Sequence, residues 1–600
     1  MTGELRAPAD VAHLDARVLV ISALAIVIAA LAGLIAQVLI ALIGLVTNLA
    51  YFGRVSTAFV SPAGSHRGAL LLVMIPVAGA LVVGLMARFG SASIRGHGIP
   101  EVMERVLFGE SRIPARVMLL KPLSSAIAIG TGGPFGAEGP IIATGGALGS
   151  LVGQLLHVTI DERKTLLAAG AAAGMAATFG SPVSAILLAV ELLLFEYRPR
   201  SLVPVSLAAA VATGVRIAFV GFAPVFPLPP LLQPGGGALA AYCILGALIG
   251  AIAVGITRLA YGIEDAFEHL GARLHLHWMW WPALGAIVVG AVGLIEPRTL
   301  GVGYENITAA LSGDIVGRAL IVLVLLKLVS WAIYLGSGTS GGTLAPLFTI
   351  GGGLGAWIGS GAADLMPGLG IQPAVAGLVG MAAIFAGASH ALLTSVVFAF
   401  ETTRQPIGLL PLLAGCSAAY LTSLLLSPHS IMTEKLARRG SSVRAEYASD
   451  YLTHVLARNA ATHPVVSLDA GDSITHVREL FQQGGRDMTH QAFPVLDSEG
   501  LLVGVVTRHE LLDPLRSPVQ TVAGAITRAP VVVYADHTLR DAADHMLREQ
   551  VGRVVVVTRE NPRTVIGILT RSDLLAAHEP RLRAASTRIT PRWAGGSGFP

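Results

Sequence analysis

The chain has 600 residues, of which 53% are hydrophobic and 13% charged, and its 41 Lys and Arg nearly balance 37 Asp and Glu. Soluble proteins carry about a quarter charged residues, so the charge is too sparse for a soluble body, and a net charge of +4 leaves no nucleic-acid footprint. The two cysteines, Cys243 and Cys416, lie in separate apolar runs and define neither a disulfide framework nor a metal site.

Residues 1–17 read as a charged, cytoplasmic flank. Val18 to Ala50 carries no charge, which exceeds the roughly 20 residues that a helix needs to cross a bilayer. The run is too long for a signal peptide, and Asp10 and Asp15 precede it. From there to Gly440 the chain alternates long apolar runs with sparse charge. Its 70 glycines suit helices whose backbones pack closely in a membrane.

Three glycine-punctuated segments open apolar helices: Gly96-His97-Gly98-Ile99-Pro100, Gly136-Ala137-Glu138-Gly139-Pro140 and Gly342-Thr343-Leu344-Ala345-Pro346. Proline suits a first helical turn, and glycine before it lets the backbone turn sharply. A helix start offers unpaired N–H groups and about half a positive charge. Several converging starts would make an anion site from backbone alone. The second and third segments are copies: a shift of 206 positions brings Gly136, Pro140, Gly145, Gly146, Leu148, Gly149 and Gly153 onto identical residues, and Gly174–Phe179 onto Gly380–Phe385. A duplicated membrane half places a site at the repeat interface. Glu138 is a lone carboxylate within such an apolar segment, which marks it as functional. As an anion it competes for the place of a permeating ion, and once protonated it can leave.

These segments, together with "AAGAAAGMAATFGSPVSAILLAVE" (Ala168–Glu191) and "SIMTEKLARRG" (Ser430–Gly440), resemble the CLC family of chloride channels and chloride/proton antiporters from about Asp15 to Gly440. The resemblance implies an all-α polytopic membrane protein with broken helices, an inverted repeat with halves near 18–220 and 237–440 within a domain of 18–440, and a homodimer. It also implies that Glu138 is the gate and proton carrier. Anion contacts are implied at Gly96, His97, Gly98, Ile99, Pro100, Gly136, Ala137, Gly139, Gly342, Thr343, Leu344, Ala345 and Met432. Four positions depart from the family pattern. His97 replaces a serine, and it either donates to the anion or caps a helix facing water. Leu344 replaces a phenylalanine and keeps an apolar wall. Met432 replaces a tyrosine and donates no hydrogen bond. Leu192 replaces the internal proton-relay glutamate, which leaves Glu191 to satisfy buried backbone groups and Glu196 solvated near a helix end. These changes favour a chloride channel in the cell (inner) membrane. A chloride/proton antiporter is the alternative, and a nucleotide-sensing regulator without transport is the second alternative. An enzyme is not expected, because no nucleophile–base pair or metal-ligand spacing is found. No cofactor is required.

After Gly440 a polar linker (441–451) leads into two similar α/β units, 452–515 and 519–578. "GVVTRHELL" (Gly504–Leu512) and "GILTRSDLL" (Gly567–Leu575) are counterparts and resemble a tandem CBS pair, expected in the cytoplasm. Such pairs either bind an adenine nucleotide, here through Thr507, Glu510, Thr570 and Asp573, or serve as a dimerisation module. Residues 580–600 read as a disordered tail.

Overall fold

The computed structural model describes residues 5–8, 16–440, 451–483, 490–513 and 520–579. It divides into one unit within residues 14–445 and another made of 446–600 with the first 13 residues. The linker expected at 441–451 lies outside the described residues except for Tyr451, and the tail at 580–600 lies outside them entirely.

The larger unit is helical. Its first series is α1 (Ala16–Thr47), α2 (Ala69–Leu85), α3 (Ile99–Phe108), α4 (Ala115–Gly130), α5 (Glu138–Leu155), α6 (Ile160–Phe179), α7 (Pro182–Leu188) and α8 (Pro199–Val220). The second series repeats it: α9 (Gly236–Leu274), α10 (Trp281–Ile295), α11 (Tyr304–Ser312), α12 (Gly317–Gly336), α13 (Leu344–Leu365), α14 (Pro373–Ser389), α15 (Leu392–Thr403) and α16 (Leu409–Leu426). A short α17 (Glu434–Arg438) closes the unit. Among the described residues, seven segments are long and apolar enough to cross a membrane, and each has half or more of its residues outside the protein interior. In contrast, α5, α6 and α14 are buried along most of their length.

Glycine is what lets these inner helices approach. A β-carbon at Gly145 would strike the Gly170 carbonyl of α6, and one at Gly351 would strike the Gly380 carbonyl of α14. The same backbone-to-backbone seam is thus built twice, once in each half.

The halves meet about a local two-fold axis. Gly136 and Gly342, equivalent by the 206-residue shift, form an antiparallel bridge in which each N–H donates to the other's carbonyl, at 3.2 and 3.0 Å. Pairing of equivalent residues in opposite directions is what a two-fold axis between them requires. A second, reciprocal pair of contacts joins the halves. The Glu191 carboxylate accepts from the amides of Leu393 (3.0 Å) and Thr394 (2.9 Å) at the start of α15. The Glu401 carboxylate accepts from those of Val183 (3.0 Å) and Ser184 (2.8 Å) at the start of α7. Each half therefore caps a helix of the other.

The smaller unit holds two three-stranded sheets of one design. β1 (Leu468–Asp469) runs parallel to β2 (Ala492–Leu496), which is antiparallel to β3 (Leu502–Thr507). β4 (Val532–Tyr534), β5 (Arg553–Val557) and β6 (Val565–Thr570) repeat that order. Both carry a register shift at the same place, Val495/Leu496 and Val556/Val557. Helices α18 (Ala457–Ala460), α19 (Ile474–Gln483), α20 (Arg508–Leu512), α21 (Leu539–Arg548) and α22 (Arg571–Ala576) complete it. Among the described residues of the N-terminal flank, Arg6 joins the second sheet. The Arg6 N–H donates to the Pro530 carbonyl (3.1 Å) and the Val532 N–H to the Arg6 carbonyl (3.0 Å), extending the sheet beside β4. Arg6 also pairs with Glu549 at 2.9 Å, and this contact holds the Glu549 carboxyl below its usual range.

Candidate anion site

The first helix start is shaped by a buried lysine. Lys121 Nζ on α4 donates to the carbonyls of Ile94 and Gly96, both at 2.8 Å. That pins two carbonyls of the loop to the lysine. Gly98 sits at φ +96°, where L side chains rarely go, and its N–H donates to Glu101 Oε2 (2.9 Å) to begin α3. A β-carbon on Gly98 would strike the Gly139 carbonyl, and one on Gly139 the His97 carbonyl. The starts of α3 and α5 are therefore in backbone contact.

The α13 start joins them. The Gly96 N–H donates to the Thr339 carbonyl at 2.9 Å, and Gly136 pairs with Gly342 as above. The three starts read from sequence thus converge. Ile99, Pro100, Ala137, Leu344 and Ala345 are all buried there.

Glu138 is the first residue of α5 and is fully buried. Its Oε1 accepts a hydrogen bond from the Tyr304 hydroxyl at 2.7 Å. Its Oε2 lies beside Gly136 and Gly342 and has no hydrogen-bond partner among the described residues. The buried Thr343 hydroxyl and His97 Nδ1 are likewise without a partner among those residues. Of these, Glu138 Oε2 is the atom that lies between the starts of α5 and α13, beside Gly136 and Gly342.

Sequence reading missed a fourth start. Gly301-Val302-Gly303-Tyr304 is the copy of Gly96-His97-Gly98-Ile99, displaced by 205 positions. Lys327 Nζ donates to the carbonyls of Thr299 and Gly301, both at 2.9 Å, as Lys121 does in the first half. Gly303 has φ +74° and caps α11, whose first residue is Tyr304. The signal was present in the glycine spacing and in the paired lysines, but the segment lacks the proline that marked the other three.

The remaining candidates separate. His97 lines a cavity of about 830 Å³ with Gly98, Lys121, Tyr261, Glu264 and Lys435. His97 is 6% exposed. Met432 is buried in the apolar core, and it is the neighbouring Ile431 that reaches the cavity wall. Tyr261 OH, from α9, donates to the Ile431 carbonyl at 2.8 Å. Leu192 is packed in the core, and Glu191 caps α15 as expected of a carboxylate serving backbone groups. Glu196 accepts from Ser201 (2.8 Å), near Lys164 and Arg198.

In the smaller unit, Thr507 with Glu510 and Thr570 with Asp573 form capping boxes that start α20 and α22. Each threonine hydroxyl donates to its acid, at 2.8 and 2.7 Å. These four side chains are engaged in helix starts.

A buried carboxylate among converging helix starts, within a two-fold helical repeat of apolar helices, defines a polytopic membrane protein of the broken-helix class. The sequence profile described as "Voltage gated chloride channel" matches residues 78–424, and that of the CBS domain matches 457–517 and 522–579. The chain belongs to the voltage-gated chloride channel (CLC) family and is an integral membrane protein. It is 29% identical over 382 residues to a protein of Ralstonia nicotianae named as a ClcB-like chloride channel protein, covering 63% of this chain and 88% of that protein. It is 31% identical over 352 residues to the H(+)/Cl(-) exchange transporter ClcA of Vibrio parahaemolyticus, covering 57% and 74%. The fold is also that of a crystal structure of a slow cyanobacterial Cl-/H+ antiporter, with TM-score 0.63 and 22% identity over 70% of this chain and 97% of that one.

Proposed function

We propose that the chain exchanges chloride for protons, along a path through the meeting point of the helix starts, with Glu138 as gate and proton carrier. The observation that carries this reading is the buried Glu138 carboxylate at the first turn of α5, beside the starts of α11 and α13. A carboxylate there is stabilised by the same dipoles that would stabilise a halide, so the two compete. Protonation removes its charge and its claim on the site; chloride then takes the place, and the proton travels with the side chain.

Sequence departures at Leu192 and Met432 favour a passive channel. Relatives named as exchange transporters favour coupling instead, and they also weigh against a regulator without transport or an enzyme. With Leu192 unable to carry a proton, inner proton access falls to carboxylates lining the cavity, Glu264 among them. The functional protein is a homodimer in the cell membrane, with the N-terminus and CBS pair in the cytoplasm. The CBS pair is a regulatory module. An adenine nucleotide bound there would meet Thr507, Glu510, Thr570 and Asp573 at the helix starts that their capping boxes form.

Purified protein in sealed vesicles tests exchange. A chloride gradient should drive protons uphill. Fast chloride flux without proton movement would make it a channel, and no chloride flux at all would make it a regulator.

A further inference from the structure

Tyr304 is more than a neighbour of the gate. It opens α11, the fourth helix start, and its hydroxyl reaches Glu138 Oε1 at 2.7 Å. Gating by a mobile carboxylate does not by itself need a phenol there. The ring is held among Phe59, Phe179 and Phe226, with centroids 6.5, 5.9 and 6.0 Å away. That packing restrains the ring, so the donor stays aimed at one point whatever Glu138 does. The other charged groups near this start are committed or face outward. Lys327 Nζ is held by the carbonyls of Thr299 and Gly301, and Glu305 is exposed.

A donor fixed on a carboxylate oxygen serves equally well a halide that takes that oxygen's place. Left without either, a hydroxyl largely shut off from water loses its hydrogen bond, which is costly. An independent sign of a ligand lies on the same carboxylate: the fully buried Glu138 Oε2 is without a partner among the described residues. We infer that Tyr304 is a ligand of the transported anion. It holds the Glu138 carboxylate in the closed state and donates to chloride when that carboxylate has left. This rests on the reading of Glu138 as a gate.

Chloride titration calorimetry on the purified full-length protein tests it. The forms compared are wild type, Glu138→Gln, and Glu138→Gln with Tyr304→Phe. Glu138→Gln should bind chloride more tightly than wild type. Adding Tyr304→Phe should weaken chloride by about tenfold, as loss of one charge-assisted donor implies. Should the phenylalanine variant not fold, 3-fluorotyrosine at position 304 in the Glu138→Gln protein keeps the shape and strengthens the donor, so chloride should bind more tightly. Unchanged affinity in the phenylalanine or the fluorotyrosine form overturns the ligand assignment and leaves the gate intact. If Glu138→Gln binds chloride no better than wild type, the gate reading falls and the assignment falls with it.

Discussion

The reciprocal caps make a prediction about how the two halves hold each other. Glu191 receives two amides of α15 and the Thr394 hydroxyl, and Glu401 receives two amides of α7. Removing a capping side chain costs about 0.5–2 kcal/mol. Hydrogen bonds to charged groups are worth about 1.5–3 kcal/mol, which raises the upper end because each carboxylate serves two amides at once. Glu191→Ala and Glu401→Ala should therefore each destabilise by about 1–3 kcal/mol, a fall of a few degrees in apparent melting temperature for a chain this size. Glutamine keeps one acceptor and should lose less. Thermal unfolding of the detergent-solubilised protein, followed by tryptophan fluorescence under identical conditions, gives both values. The two alanine variants should be alike, since the two-fold axis makes the positions equivalent. A large loss at Glu191 beside none at Glu401 would refute the reciprocity.

Three further outcomes follow from the geometry. Lys121→Met and Lys327→Met each strip two carbonyl partners from a glycine loop, and each should cost about 2–4 kcal/mol in the same unfolding assay, with chloride efflux falling as well. Gly139→Ala sets a methyl against the His97 carbonyl, where backbone cannot yield, so chloride efflux from vesicles should drop by about tenfold or more while the protein still inserts. In the CBS unit, the Arg559 guanidinium 2.7 Å from Asp536 holds that carboxyl below its ordinary range. Its contribution is present above the unfolded value near about 4 and fades as pH falls through the lowered one. Because the pair is exposed, calorimetry of the full chain should find the share of the Arg559→Ala loss owed to Asp536 to be only tenths of a kcal/mol near neutral pH, and gone in strong acid.

The readable parts of this molecule are those written in glycine and proline. Gly96–Pro100, Gly136–Pro140 and Gly342–Pro346 announce helix starts because a first turn tolerates proline and a sharp approach demands glycine. Tyr304 stayed hidden because its start has no proline and sits at a shift of 205, one short of the 206 that aligns the other copies. Glu401 stayed hidden for a similar reason. Beyond the matched Phe179 and Phe385, α14 runs four residues further to Ser389, whereas α6 ends at Phe179. That extra turn moves the shift to 210, so Glu191 and Glu401 do not align in a gapless comparison. Met432 was placed by analogy of sequence, and the structure shows it buried in the apolar core beside Ile431. The strand-like pairing of Arg6 was out of reach because so few residues carry no periodicity.

Competition between a movable acid and a halide for one point among helix starts is the root of the account. The most direct measurement is chloride flux in proteoliposomes bearing Glu138→Ala, followed from acid to neutral pH. Flux that persists and no longer responds to pH is the expected result. Flux that still rises and falls with pH would contradict it.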